Sequence, residues 1–340
     1  MQKLMTFLIL IALCAYSCGT EQSTEDTTSD QTPVEDTRIP VIFDTDANNE
    51  LDDQHALAYL LFNSDVFNTL GITVNRTFNG GGIDKHMAEA KRVNQVCNSS
   101  IPIYKGADSS FDTIRTTLTE ANFDGAAAVD FMIAEARKDW GQPLLLLPVG
   151  KLTNVALALE KAPDIAPRVR ILWLGSNYPE PGEYNQDNDT ASLNYILDQD
   201  VVFEMAMVRY GKPSGTDAVK ITPAEVEANL KGKGPKVETA IEGRHGGTFN
   251  TFGDYAYDLF QHAEMYGDPP ARALFDMAAV AIAKNVDWAA AKTVPAPKLV
   301  ENAWVERPEN SRKVVIWENF NRDAIINDFY ESLNNPALPE

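Results

Sequence analysis

Short runs of consecutive apolar residues punctuate the chain: PVIF at 40–43, TLGITV at 69–74, LLLL at 144–147 and RILWLG at 170–175. Continuous rather than alternating apolar character marks strands buried on both faces, as in parallel sheets. Between these runs the apolar positions recur with helical spacing. DDQHALAYLLFN begins at Asp52 and puts Ala56, Leu57, Leu60 and Leu61 on one side, and HMAEAKRVNQVC, GAAAVDFMIAEARKDW and LTNVALALEKA are spaced alike. Alternation of strand and helix predicts βαβ units and an α/β fold with a mostly parallel sheet flanked by helices. Right-handed crossovers then place the loops after the strands on one common edge, where open α/β sheets bind ligands. Later, ALFDMAAVAIAKN at 273–285 reads as an apolar helix interrupted by Asp276, and KVVIWENF and RDAIINDFYESLN as a final strand and helix.

The first residues depart from this pattern. MQKLMTFLILIALCAYSC carries a lysine, an apolar run from Leu4 to Leu13 and small residues before Cys18. It reads as a lipoprotein signal over 1–17, too short for a membrane span, with a lipid anchor at Cys18. Residues 18–38 are rich in Ser, Thr, Asp and Glu and read as a disordered acidic tether. The expected folded domain covers 39–335, in a protein held in the cell envelope, on the periplasmic side or at the surface. Of three cysteines only Cys97 lies beyond the anchor, so the fold has no intrachain disulfide to rest on. A formal net charge of -20 argues against nucleic acid as a partner, since phosphates demand a basic surface.

Between the first strand and the first helix the sequence is VIFDTDANNELDD, with Asp44, Asp46, Asp52 and Asp53 crowded at the predicted ligand edge. Like charges so close repel, and each costs more as water is removed. A bound cation is the simplest compensation, and oxygen donors suit calcium. Helix-start stabilisation gives Asp52 and Asp53 a structural reason as well. Zinc is disfavoured in this loop, because the chain has four histidines and no HExxH pair. An EF-hand is excluded, since the sixth position from Asp44 is Asn49 and the twelfth is His55. A haloacid-dehalogenase start fits less well: Asn48 stands where Thr or Val belongs, and Asp52 and Asp53 have no place in it.

The spacing D-T-D-x5-D-D resembles the N-terminal signature of nucleoside hydrolases. Three further segments follow in the family's order: LLLLPVGKLTNVALALEKAPDIAPRV, ASLNYILDQDVVFEM and LFDMAAVA. The resemblance implies a single Rossmann-like α/β domain of the inosine/uridine-preferring type, often dimeric or tetrameric, that takes a nucleoside or riboside. It implies Ca2+ held by the side chains of Asp46, Asp53 and Asp276 and the carbonyl of Val149. Asp52 and Asn194 would hold the ribose hydroxyls, and Asp46 would act as general base. Asp44 would orient its neighbours, and Gly150 would allow a tight turn that aims the Val149 carbonyl inward.

Two positions depart from the family. Phe275 replaces the histidine that often precedes the late aspartate, and Ser192 replaces a carboxylate before the ribose asparagine. His245, in the Gly-rich EGRHGGTFNTF segment beside Phe249 and Phe252, is the candidate to protonate the leaving base. Asn79, Asn185 and Asn188 are further candidates for the sugar. His86 and Trp173 read as structural. The competing functions are a nucleoside- or sugar-binding lipoprotein without turnover, and the same machinery acting on another glycoside.

Overall fold

A computed structural model describes residues 36–339, of which those from Arg38 onward belong to one compact unit. The expected signal, Cys18 and nearly all of the tether lie outside the described residues. The sheet strands in chain order are β1 (Ile39–Thr45), β2 (Phe67–Val74), β3 (Ile103–Lys105), β4 (Leu144–Pro148), β5 (Val169–Leu174) and β6 (Val202–Ala206), followed by Ala290–Pro295 and Lys313–Glu318. Across the sheet the order is Ala290–Pro295, Lys313–Glu318, β6, β5, β4, β1, β2, β3. All neighbours pair in parallel except the edge strand Ala290–Pro295, which runs antiparallel to Lys313–Glu318.

The apolar runs explain this arrangement. Val41 and Phe43 join one core with Leu145 and Leu147, while Ile42 joins the core on the opposite face with Leu144, Leu146 and Ile171. Successive strand residues point to opposite faces, so only a strand covered on both sides needs every position apolar. Each fully buried side chain of this size contributes about 1.5–3 kcal/mol. Helix α1 (Asp52–Leu61) follows β1 and is buried along its whole length. Helix α2 (Ile83–Val96) follows β2 and keeps a solvent face.

The order 3-2-1-4-5-6 reverses direction at β1, whose neighbours are β2 and β4. At such a switch point the loops leaving two adjacent strands diverge and open a crevice at the carboxyl edge. Register puts Asp44 beside both Thr73 and Pro148. The acidic stretch therefore emerges at the mouth of that crevice.

Candidate active site

Asp44, the penultimate residue of β1, is buried, and its carboxylate accepts three hydrogen bonds. It accepts from Thr73 Oγ1 at 2.6 Å, Asn75 Nδ2 at 2.6 Å and Asn154 Nδ2 at 2.7 Å. Burial raises its pKa to about 6 against the pull of these donors. Asp44 is thus a brace. The Val149 amide donates to its carbonyl at 2.8 Å, locking the end of β4 to the end of β1.

Asp46, Asp52, Asp53 and Asp276 are all buried. Carboxylate oxygens of Asp52, Asp53 and Asp276 lie within 4.8 Å of one another, and Asp46 repels all three. Asp52 and Asp53 occupy the first turn of α1, and Asp276 the first turn of helix Phe275–Lys284. Two helix starts therefore face one point, and their dipoles soften the repulsion. The softening is incomplete. Burial first, then neighbouring negative charge, pushes Asp53 and Asp276 well above the usual carboxylate range, and Asp52 rises to about 7. Thr45 donates to Asp53 and Thr77 to Asp46.

Gly150 has its reason here, though a different one from the expected turn geometry. Its φ is not in the left-handed region. Instead, a Cβ at this position would stand 2.7 Å from Asp46 Oδ1 and 3.0 Å from Asn75 Oδ1. The loop passes too close to Asp46 for any side chain. Trp173, buried in the core as expected, donates its indole N–H to the Gly150 carbonyl at 2.9 Å and fixes the loop. His86 is also structural: its Nδ1 is 2.7 Å from the Asp46 carbonyl oxygen.

Asp46, Asp52, Asp53 and Asp276 line a cleft of about 590 Å³, a size suited to a small organic ligand. Val149, Glu183, Tyr184 and Asn185 line it as well. Asn185 Nδ2 donates to the Val149 carbonyl at 2.7 Å and to the Leu174 carbonyl at 3.2 Å. A carbonyl oxygen has two lone pairs, so that bond leaves Val149 able to take a cation. Glu183 caps the short helix Tyr184–Asn188 and accepts from the amides of Ser176, Asn185 and Gln186. Burial still lifts it to about 7.

The outer half is aromatic. Tyr210 meets Phe275 edge to face with centroids 5.8 Å apart. Tyr266 is flanked by Lys220 at 4.8 Å and Arg272 at 5.6 Å. Lys220 pairs with Asp217 at 3.0 Å, and Arg272 pairs with Glu50. Arg272 Nε is buried without a hydrogen-bond partner.

Some sequence candidates fall elsewhere. Asn194 does not reach the cleft: its amide donates to the Leu299 carbonyl at 2.7 Å and accepts from the Leu299 amide at 2.9 Å. Ser192, read as standing in for a carboxylate, belongs to the same helix, and its amide donates to Asp189, the cap of that helix. The carboxylate and asparagine that do line the cleft are Glu183 and Asn185, two residues apart in GEYN, in the segment between β5 and β6. Asn79 and Asn188 brace Tyr184 from behind. The Asn79 amide donates to the Tyr184 hydroxyl at 2.8 Å, and Asn188 Nδ2 donates to the Tyr184 carbonyl at 2.8 Å. His245 lies outside the cleft, beside Asp258 and His262. Tyr210, Tyr266 and Arg272 were not anticipated, and nothing local in their sequence announces them.

Comparison with known proteins gives the family and the fold. The family model described as inosine-uridine preferring nucleoside hydrolase matches residues 41–327. The uncharacterized protein C1683.06c of Schizosaccharomyces pombe is 25% identical over 242 residues, 62% of this chain and 75% of that protein. The non-specific ribonucleoside hydrolase RihC of Escherichia fergusonii is 28% identical over 152 residues, 40% of this chain and 48% of RihC, so that match spans about half the relative's length. Among solved structures, the plant nucleoside hydrolase PpNRh1 superposes with a TM-score of 0.66 at 18% identity, covering 88% of this chain and 99% of that one. The purine-preferring ribonucleoside hydrolase of Gardnerella vaginalis gives 0.63 at 18%, covering 87% and 98%. The shared α/β fold and the family match identify this chain as a member of the inosine-uridine preferring nucleoside hydrolase family, hydrolases acting on N-glycosyl bonds.

Proposed function

We propose that the chain hydrolyses the N-glycosidic bond of ribonucleosides, or of a related N-riboside, in a calcium-dependent reaction. The observation that carries this reading is the meeting of Asp52, Asp53 and Asp276 within 4.8 Å in the floor of the cleft, with Asp46 beside them. A buried all-oxygen donor set fits a hard cation, and calcium accepts carboxylates and carbonyls together. Asp46, Asp53, Asp276 and the Val149 carbonyl would hold it. When bound, the ion makes the attacking water more acidic and neutralises the carboxylate repulsion.

The chain's own residues supply the rest. Thr77 donates to Asp46 Oδ2 and fixes the carboxylate's orientation. Asp46 takes the proton as the water oxygen bonds to C1′ of the ribose. The C1′–N bond breaks and its electron pair stays on the base nitrogen. Carboxylates beneath the sugar stabilise the positive charge that develops on it. Asp52 and Asn185 hold the ribose hydroxyls. Phe275 cannot donate a proton, and serves with Tyr210 and Tyr266 to stack the base. Two donors face the leaving group. Burial and the nearby Glu183 charge push the Tyr210 phenol up, so it keeps its proton, and Arg272 Nε has a free N–H.

Ribose release from inosine, uridine, adenosine, guanosine and cytidine tests this, with and without calcium chelation. Release that needs calcium and disappears in Asp46→Asn is the expected result. No release from any of the five would overturn the nucleoside assignment. We further propose that a lipid anchor at Cys18 holds the enzyme in the cell envelope. A fatty-acid label that enters the protein and is lost in Cys18→Ser is the expected result. An unlabelled protein would refute the anchor.

A further inference from the structure

Outside the cleft, three metal-ligating side chains meet at one point. Helix Phe252–Gln261 carries Asp258, and His262 follows one turn later at the helix end, so the two share a face. His245 arrives from the turn between strands Lys236–Glu242 and Thr248–Thr251. Ligand atoms of the three lie within 4.8 Å of one another.

The contacts are unusual for a plain surface cluster. His245 Nδ1 is 3.7 Å from Asp258 Oδ2, and His262 Nδ1 is 3.7 Å from Asp258 Oδ1. Both gaps are too long for a hydrogen bond and too short to seat a water between. Asp258 Oδ2 is shielded from solvent and has no hydrogen-bond partner, a condition that ordinarily destabilises the fold. Donors bound to one tetrahedral zinc at about 2.0–2.2 Å stand roughly 3.4 Å apart, close to the 3.7 Å between His245 Nδ1 and Asp258 Oδ2.

We propose that His245, Asp258 and His262 form a binding site for a borderline divalent cation, best matched by Zn2+ and separate from the carboxylate site in the cleft. Two imidazoles and one carboxylate suit zinc and its neighbours, whereas calcium and magnesium prefer oxygen alone. His262 Nδ1 lies 2.9 Å from the Asp258 carbonyl oxygen. That is the kind of backbone partner that fixes the tautomer of a ligating imidazole and leaves Nε2 for the metal. His262 is 46% exposed, so the ion has an entry path, and solvent supplies the fourth ligand.

The site has a structural consequence. It ties the tip of the hairpin to helix Phe252–Gln261. Arg244, next to His245, donates to the Glu50 carbonyl at 2.8 Å, and Glu50 pairs with Arg272 at the cleft. Arg244 Nε also donates to His245 Nε2 at 3.2 Å. Metal at His245 Nδ1 puts the ring proton on Nε2 and ends that contact, so Arg244 is left to Glu50.

Calorimetric titration of the protein with Zn2+ in saturating calcium tests the proposal, with Co2+ as a spectroscopic probe. One equivalent of Zn2+ binding at micromolar affinity or tighter is expected. The affinity should fall at least about tenfold in His262→Ala and in His245→Ala, and Co2+ should give visible bands that both variants lose. The other two histidines, His55 and His86, are buried. Absence of Zn2+ binding under excess calcium would overturn the proposal. So would binding that survives unchanged in both variants.

Discussion

Asn154 Nδ2 donates to Asp44 Oδ2 across 2.7 Å, joining the helix after β4 to the end of β1. With Thr73 and Asn75 it gives three donors to a carboxylate that does not line the cleft. Asp44→Asn would turn an amide NH2 toward donors and strand at least one of them. The expected loss is about 2–3 kcal/mol of stability, read from urea unfolding, and an unchanged midpoint would refute the bracing role.

Asp46 is the proposed base. Replacing it by Asn keeps its size and an oxygen for Thr77. Turnover should fall by about 10²–10⁴-fold, measured as kcat on the best nucleoside, while the thermal midpoint moves little. Full activity in this variant would remove Asp46 from proton transfer.

Asn185 and Asn194 make a paired test. Asn185→Ala removes the sugar contact and the donor to the Val149 carbonyl, so kcat/KM should drop by roughly 100-fold, about 2.7 kcal/mol. Asn194→Ala breaks the two bonds to Leu299 and should cost about 1–3 kcal/mol of stability with kcat/KM unchanged. The reverse pattern would mean that the sugar lies elsewhere.

The contrast between these residues shows what the sequence could reveal. PVIF and LLLL announce β1 and β4 because strands covered on both faces need every position apolar. β6 was harder to see. Its VFEMA contains Glu204, whose carboxylate accepts from Arg170 and from the Trp317 indole on neighbouring strands. That compensation is invisible along the chain. The acidic loop was legible because its aspartates are local, whereas Glu183, Tyr210, Tyr266 and Arg272 come from separate segments and meet only in the folded chain.

If the carboxylate cluster holds calcium as proposed, a pH rule follows. Asp52, Asp53 and Asp276 have folded-state pKa values raised above the unfolded ones, chiefly by burial. Without the ion, the folded state therefore binds more protons than the unfolded state above about pH 4, and its stability declines as pH rises through that window. Calcium needs the deprotonated forms and replaces the lost protons. The rise in Tm on adding calcium should be larger at about pH 8 than at about pH 5. Equal shifts at both would show that Asp53 and Asp276 do not bind the ion.

Leaving-group assistance is separable from the rest. Arg272→Met should lower kcat/KM on inosine by about 10²-fold, yet spare p-nitrophenyl riboside, whose phenolate departs without help. Parallel losses on both substrates would assign Arg272 to shaping the cleft.

The cleft is lined by seven carboxylates and two cations, and each cation already has its own acidic partner. A divalent ion in the floor does not reverse that imbalance. A nucleoside bearing a 5′-phosphate would carry its charge into a lining of the same sign, at close range and out of bulk water. With the proposed substrate, such a pocket would act as a filter on phosphorylation state, admitting a neutral nucleoside and turning away the nucleotide.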